Sequence, residues 1–380
     1  MTNDQTIPAG FRHWPLNLRH CFVIRCFVIC HFLILALAAP LTRGEAPASR
    51  AATAPTTKPA DARDTVIVDP ETEKTIRGSL KFLAAQQSPT GAWASPGGEH
   101  PLAVTGYTLM AFLAAGQLPN EGEYGKNVAA GANFILSCVR PDGYITSTDR
   151  SIGRKQSNMY DHGIAAIALG EVYGQTQDPK LKEKLQTIVR LIVSAQNQQG
   201  GWRYTPRPES ADISVTVLQV VALRVAKNGG LDVPQKTIDA AVKYVKSCNH
   251  KQSGGFCYQP GAGPGFARTA AAIYSLQVCG LYDDELIKPG SEFLIKHGSD
   301  REWFTYGNFY AAPAQYMVGG PTWEKWYAQI KKELLPAVKR EGDMAFWDER
   351  DARGIGPVYA TAVYTMMLSM PYHYVPLYQR

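Results

Sequence analysis

Two kinds of apolar pattern alternate along residues 70–380. In the first, apolar positions recur every three or four residues, as in Ile76, Leu80 and Leu83, or Ile188, Leu191, Ile192 and Ala195. That spacing gives an α-helix one buried face. TIRGSLKFLAAQ, KNVAAGANFILS, LQTIVRLIVSAQ and KTIDAAVKYVKS share it. In the second kind, apolar residues run almost all round and are mixed with Ala, Gly and Ser. Examples are VTGYTLMAFLAAG, HGIAAIALGEVYG, ISVTVLQVVALRVAKNGG, RTAAAIYSLQVCG, FYAAPAQYMVGG and VYATAVYTMMLSM. Helices of that composition are buried on several sides and pack closely. Gly116, Gly174 and Gly280 end three of these runs, as glycine does at helix C-termini.

A glycine turn with an aromatic residue links each half-polar helix to the buried one after it. Gln87, Gly91 and Trp93 read Gln-x3-Gly-x-Trp, and so do Gln196, Gly200 and Trp202. Looser copies place aromatic landmarks at Tyr144, Phe256, Trp303 and Trp347. The spacing of about fifty residues is that of a repeat architecture, and the landmarks predict six units. Glycine supplies the left-handed backbone that a tight turn needs. The indole N–H reaches helix carbonyls that lack partners, and the glutamine amide satisfies loop groups. These six residues are therefore expected to be a structural staple.

Six outer helices alternating with six inner ones predict an all-α fold over residues 65–380, an (α/α)6 toroid. An open solenoid needs polar end caps. The last unit, YATAVYTMMLSMPYHYVPLY, is too apolar to serve as one. Closure is the expected solution.

Arg77-Gly78-x3-Phe82-Leu83-x3-Gln87-x3-Gly91-x-Trp93 resembles the full QW repeat of squalene and oxidosqualene cyclases. Leu191-Ile192-x3-Gln196-x3-Gly200-x-Trp202 is similar to its second half. The six copies together resemble the terpenoid cyclase and protein prenyltransferase superfamily. Gly200–Pro206 and Asp212–Thr216 resemble stretches of exported, single-barrel prenyltransferase and squalene oxidase repeat proteins typical of planctomycete bacteria. The resemblance implies the toroid and leaves the reaction open.

Composition narrows the setting. The chain has 380 residues, 45% of them apolar and 19% charged, which suits a large packed core and excludes a disordered chain. Arg12, Arg19 and Arg25 precede the apolar run Cys26–Ala39, and Ala36-Leu37-Ala38 resembles a cleavage site. Residues 1–40 are thus expected to be an export signal or, if uncleaved, a membrane anchor, giving a periplasmic or extracellular protein. Residues 41–64, rich in Ala, Pro and Thr, read as a linker. The net charge of +6, with no basic run, gives no reason to expect nucleic acid. Cys138, Cys248, Cys257 and Cys279 lie beyond the leader and lack metal-ligand spacing. They read as small buried residues, although Cys248 and Cys257 flank one loop and could pair.

The superfamily's chemistry offers two templates. Squalene-hopene cyclases protonate substrate with Asp-x-Asp-Asp, and the matching stretch here, Ser210-Ala211-Asp212-Ile213, keeps one aspartate. Asp212 is either a lone general acid or the cap of the helix beginning at Ile213; the cap is expected, because a lone carboxyl lacks the neighbours that would sharpen its acidity. Protein prenyltransferases hold zinc with Asp-x-Cys and a His. That pattern is missing, and Asp161-His162 is not a full ligand set, so no metal or cofactor is expected. Inner-helix starts should converge on one rim formed by Tyr107, Tyr160, Asp161, His162, Tyr204, Asp212, Arg268, Tyr310 and Tyr359. A tyrosine-lined mouth suits an isoprenoid-like chain or a carbohydrate. Three functions follow as expectations: binding of an apolar ligand or partner, terpene cyclisation or prenyl transfer with Asp212 as acid, and polysaccharide chemistry using Asp161 with Asp212.

Overall fold

The computed structural model describes residues 65–147, 157–298, 303–348, 354–375 and 377. The expected leader at 1–40 and linker at 41–64 lie outside the described residues. Outer helices are α1 (Pro70–Ala85), α3 (Gly125–Ser137), α5 (Pro179–Ala195), α7 (Gln235–Ser247), α9 (Ile287–Lys296) and α11 (Gly320–Leu334). Inner helices are α2 (Pro101–Ala114), α4 (Met159–Thr176), α6 (Ile213–Asn228), α8 (Phe266–Val278), α10 (Phe304–Val318) and α12 (Pro357–Ser369). The two sets alternate along the chain. Each inner helix packs on the next, and α12 returns to α2, so the inner ring is closed. The chain is an all-α (α/α)6 toroid.

Burial follows the two sequence patterns. Every residue of α2 is buried, whereas α5 buries one stripe that includes Leu181, Leu185, Ile188 and Ile192. Small residues let the inner ring tighten. A Cβ at Gly163 on α4 would lie 2.6 Å from Leu218 Cβ on α6.

The staple joins neighbouring units as well as sealing its own turn. Trp93 Nε1 donates to Leu83 O at 2.6 Å and Trp202 Nε1 to Ile192 O at 2.7 Å. Trp347 Nε1 donates to Leu334 O at 2.8 Å. Each acceptor lies in the last turn of an outer helix, where carbonyls lack helical partners. Gln87 Nε2 donates to Gly91 O and to Asn127 O on α3, both at 2.9 Å. Gln196 Nε2 does the same to Gly200 O at 2.8 Å and Thr237 O on α7 at 2.9 Å. Gly200 has φ +95°, and a Cβ there would lie 2.1 Å from Ala240 O on the next outer helix. Each turn therefore leans on the unit that follows.

Two landmarks depart from the expected repeat. In the second unit Gly143 takes the turn glycine's place, with φ +88° against Thr187 O. Ile145, two residues on, therefore fills the slot of Trp93 and Trp202, and Tyr144 is displaced by one. Tyr144 instead donates its hydroxyl to Ser157 O at 3.1 Å. Trp303 also leaves the staple series and lines the central cavity.

A short hairpin closes the ring on its outer side. Strands β1 (Lys339–Glu341) and β2 (Met344–Phe346) pair antiparallel and lie against α1. Phe346 stacks on Phe82 with ring centres 4.8 Å apart, and Gly78 leaves the space that Ala345 occupies. Lys81 and Asp343 add an exposed ion pair at 3.0 Å. Among the described residues, no helix is long and apolar enough to cross a membrane.

Candidate functional site

All six inner helices start at the same end of the ring. Residues of these starts and of the loops before them enclose a cavity of about 860 Å3, within the usual range for small-molecule sites. Aromatic rings form much of its wall: Tyr107, Tyr160, Tyr258, Trp303, Tyr306 and Tyr359. Ala103, Val104, Ala262, Ala267 and Ile355 complete the apolar surface. Polar atoms come from His100, Asn158, Asp161, Ser214 and Arg268, and Tyr204 stands half-exposed at the mouth.

Local sequence explains how these groups are held. Asn158 begins α4, its Oδ1 accepting from Tyr160 N at 2.7 Å, while Asp161 Oδ2 accepts from Asn158 N at 2.9 Å. This reciprocal cap fixes the first turn and aims Tyr160 inward. The hydroxyls of Tyr107 and Tyr160 share a hydrogen bond of 2.6 Å, and those of Tyr204 and Tyr258 one of 2.9 Å. Burial pushes Tyr107 and Tyr160 well above the ordinary tyrosine range, so both remain neutral phenols. Arg268 Nη1 donates to Gly263 O at 3.0 Å, which ties its guanidinium to the loop beside the mouth.

Of the nine expected rim residues, six line the cavity: Tyr107, Tyr160, Asp161, Tyr204, Arg268 and Tyr359. The other three do not. Asp212 is fully buried and caps α6, with Oδ1 accepting from Val215 N at 3.0 Å and Oδ2 lying 3.7 Å from Arg203 Nε. A general acid must reach its substrate, and this carboxyl is buried behind the cavity wall, with Oδ1 held by the helix start and Oδ2 beside Arg203 and Tyr258. His162 is also fully buried; its Nδ1 accepts from Ile145 N at 3.1 Å. Tyr310 lies in the core below the cavity, edge-on to Tyr306 at 5.1 Å and to Phe309 at 4.8 Å.

The Asp161–Asp212 pair expected for polysaccharide chemistry is therefore not presented to the cavity. Asp161 is the one carboxylate among the described lining residues, and burial raises its pKa. Among the described residues, no group of three or more His, Cys, Asp or Glu side chains is arranged to hold a metal ion.

Sequence reasoning missed Tyr258, Trp303, Tyr306, His100, Asn158 and Ser214. Ser214 and Tyr306 fall in the first turn of an inner helix, the criterion that found the others, and so were open to the same reading. His100 was harder to find, because it precedes α2 with left-handed backbone at φ 52°.

The opposite end of the ring is closed by the chain's last described residues. Val375 and Leu377 are buried there, and Tyr316 and His373 Nδ1 share a hydrogen bond of 2.6 Å. Glu171 on α4 is buried beneath this segment and accepts from the Leu377 backbone; burial pushes its pKa up to about 8.

Solved structures of similar fold carry different chemistries. Cellobiose 2-epimerase from Bacillus thermoamylovorans superposes with a TM-score of 0.57 at 13% identity, covering 78% of this chain and 98% of its own. A type II terpene cyclase from Scytonema gives 0.56 at 12% identity, covering 79% and 97%. A glycoside hydrolase family 76 mannosidase from Bacteroides thetaiotaomicron gives 0.55 at 12% identity, covering 79% and 97%. At such identities the likeness is one of fold alone. No curated protein matches the sequence. The family model of the prenyltransferase alpha-alpha toroid domain matches residues 64–212 and 213–296, more than half of the chain, and with the closed double ring this makes the chain a member of that family.

Proposed function

We propose that the protein binds an apolar, isoprenoid-like ligand in the mouth cavity and does not protonate it. The observation that carries this reading is the cavity wall: about 860 Å3 enclosed by aromatic and small aliphatic side chains, with the Tyr107 and Tyr160 hydroxyls joined to each other by one hydrogen bond. An apolar chain gains by leaving water for such a surface and demands no further hydrogen bonds of it. The cyclase reading needs an acid in the cavity, and Asp212 is fully buried and is not among the described lining residues. The one carboxylate in the described lining, Asp161, is committed to the cap of α4.

Solvent extraction of the purified full chain, followed by mass spectrometry, should release an isoprenoid-like molecule. Farnesol titrated against the extracted protein should change the fluorescence of Trp303 and its neighbouring tyrosines saturably. Ala103→Trp, which fills the cavity from α2, should abolish both signals while the helical circular dichroism persists. Extracts without an apolar molecule, together with no saturable farnesol response, would overturn the reading.

A carbohydrate is the second reading, favoured by the half-exposed Tyr204 ring beside Asn158, Asp161, His100 and Arg268. Titration with manno- and cello-oligosaccharides in the same assay separates the two. Part of the same proposal is that residues 1–40 direct export and are removed. N-terminal sequencing of the protein recovered outside the cytoplasm should then begin beyond Ala38, whereas recovery with Met1 intact counts against it.

A further inference from the structure

We propose that Cys248 and Cys257 form a redox-controlled disulfide that pins the loop carrying Tyr258, a wall of the mouth cavity. The inference does not depend on which ligand the cavity takes.

The backbone sets the two residues opposite each other. Asn249 and Phe256 pair in an antiparallel bridge, and the next pair outward is Cys248 with Cys257. Cys257 N donates to Cys248 O at 2.8 Å. The bond is one-sided, since Cys248 N donates to Val245 O; opposed residues of an antiparallel pair have Cα atoms about 4.5–5.5 Å apart, inside the roughly 4.4–6.8 Å that a disulfide requires. Both side chains are buried, at 0% and 2% exposure, so neither is directed to solvent. Both are free thiols in the structure, so the proposed bond is the oxidised state of a pair seen here reduced.

The second unit supplies an internal comparison. Cys138 ends α3 as Cys248 ends α7, and Thr146 N donates to Cys138 O at 3.1 Å. The backbone arrangement is the same, but threonine stands where Cys257 would be. Position 257 thus distinguishes a loop that can be cross-linked from one that cannot.

The linked residues border the site directly. Tyr258 bonds Tyr204 through its hydroxyl, and its carbonyl accepts from Ile213 N at 3.0 Å, at the start of α6. A cross-link at 257 would hold that wall to the end of α7. The oxidant is a small-molecule disulfide such as oxidised glutathione. A Cys248 or Cys257 thiolate attacks it and releases one reduced thiol; the second cysteine displaces the other, forming the Sγ–Sγ bond. Two protein thiols lose two electrons and two protons, and the oxidant's disulfide becomes two thiols. The exposed turn at Lys251, Gln252 and Ser253 gives access by local opening. Burial holds Cys248 up at about 11, so exchange is slow and should be read at equilibrium.

The test is direct because Lys246, Lys251 and Arg268 are cleavage sites for trypsin. Native full-length protein is equilibrated with oxidised glutathione, acid-quenched, alkylated and digested. The expected product is one disulfide-linked pair of peptides, Ser247–Lys251 with Gln252–Arg268, that dithiothreitol separates. Cys138 should be recovered alkylated. Thr146→Cys should then create a second linked pair with Cys138, and the oxidised wild type should melt a few degrees above Cys257→Ser. Recovery of Cys248 and Cys257 both alkylated, glutathione adducts in place of the link, or a link to a different cysteine would overturn the proposal.

Discussion

The main-chain N–H of Ile145 donates to Nδ1 of His162, the place in the repeat where Thr105, Thr216, Thr269 and Thr361 accept the same bond through Oγ1. One imidazole has replaced a hydroxyl without changing what the turn receives. His162→Thr should therefore fold, losing about 1–3 kcal/mol to the space left by the ring. His162→Leu should cost more, because it strands the Ile145 N–H as well. Urea denaturation of the two variants checks the order.

The same residue makes acid destabilising. Burial holds His162 down to about 3 from an ordinary value of 6.5. Between those values the unfolded chain binds a proton that the folded one refuses. Stability should fall by about 1.4 kcal/mol per pH unit as pH drops through that window. His162→Thr should remove this contribution, visible as a flatter acid limb in Tm against pH.

Glu171 acts in the opposite direction. Its folded pKa of about 8 lies above the ordinary 4.5, so the folded state holds a proton that the unfolded chain releases. Its contribution is greatest near pH 4.5 and declines as pH rises through 8, again by about 1.4 kcal/mol per unit. Glu171→Gln should be more stable than wild type at pH 8 and should show little advantage at pH 4.5. Differential scanning calorimetry at both values provides the comparison.

Gly200 and Gly230 share left-handed backbone but not surroundings. A Cβ at Gly200 would strike Ala240 O, whereas one at Gly230 meets nothing within 4 Å. Gly230→Ala should cost about 1–2 kcal/mol, the price of the backbone alone. Gly200→Ala should cost several times as much, since α7 must also retreat. Parallel denaturation of the two proteins tests whether the turn truly bears on the next unit.

Asp212→Asn should leave ligand binding at the mouth unchanged, because the amide oxygen can still accept from Val215 N. Asp212→Ala should lower stability by about 1 kcal/mol through loss of the cap. Loss of binding in Asp212→Asn with stability intact would restore a direct role for the carboxyl.

The ring and its staples were legible because they repeat. An apolar stripe in one helix is ambiguous, but six alternations of half-buried and fully buried helices leave few architectures. The site was only partly legible. Tyr107, Tyr160 and Tyr359 were found because each stands in the first two turns of an inner helix. His162 and Asp212 met nearly the same criterion and yet face the turn and the helix start, since a helix rotates its side chains by about 100° per residue. Position along the chain fixed their height in the barrel and left the direction they face to packing. Tyr144 was displaced because one aromatic beside the true slot satisfied the pattern as well as Ile145 did.

Among the described residues, the clasp of the β1–β2 hairpin on α1 joins the first unit of the ring to the last. Arg340 reaches Thr75, Thr365 reaches Ser79, and Lys331 reaches Asp69, so first and last units of the ring are sewn together across 262 to 286 residues. A solenoid can fray from its tips inward, one module at a time. Here the first and last units of the ring each lack part of their packing until the other is in place, so the expected mode of unfolding is loss of the circle as a whole.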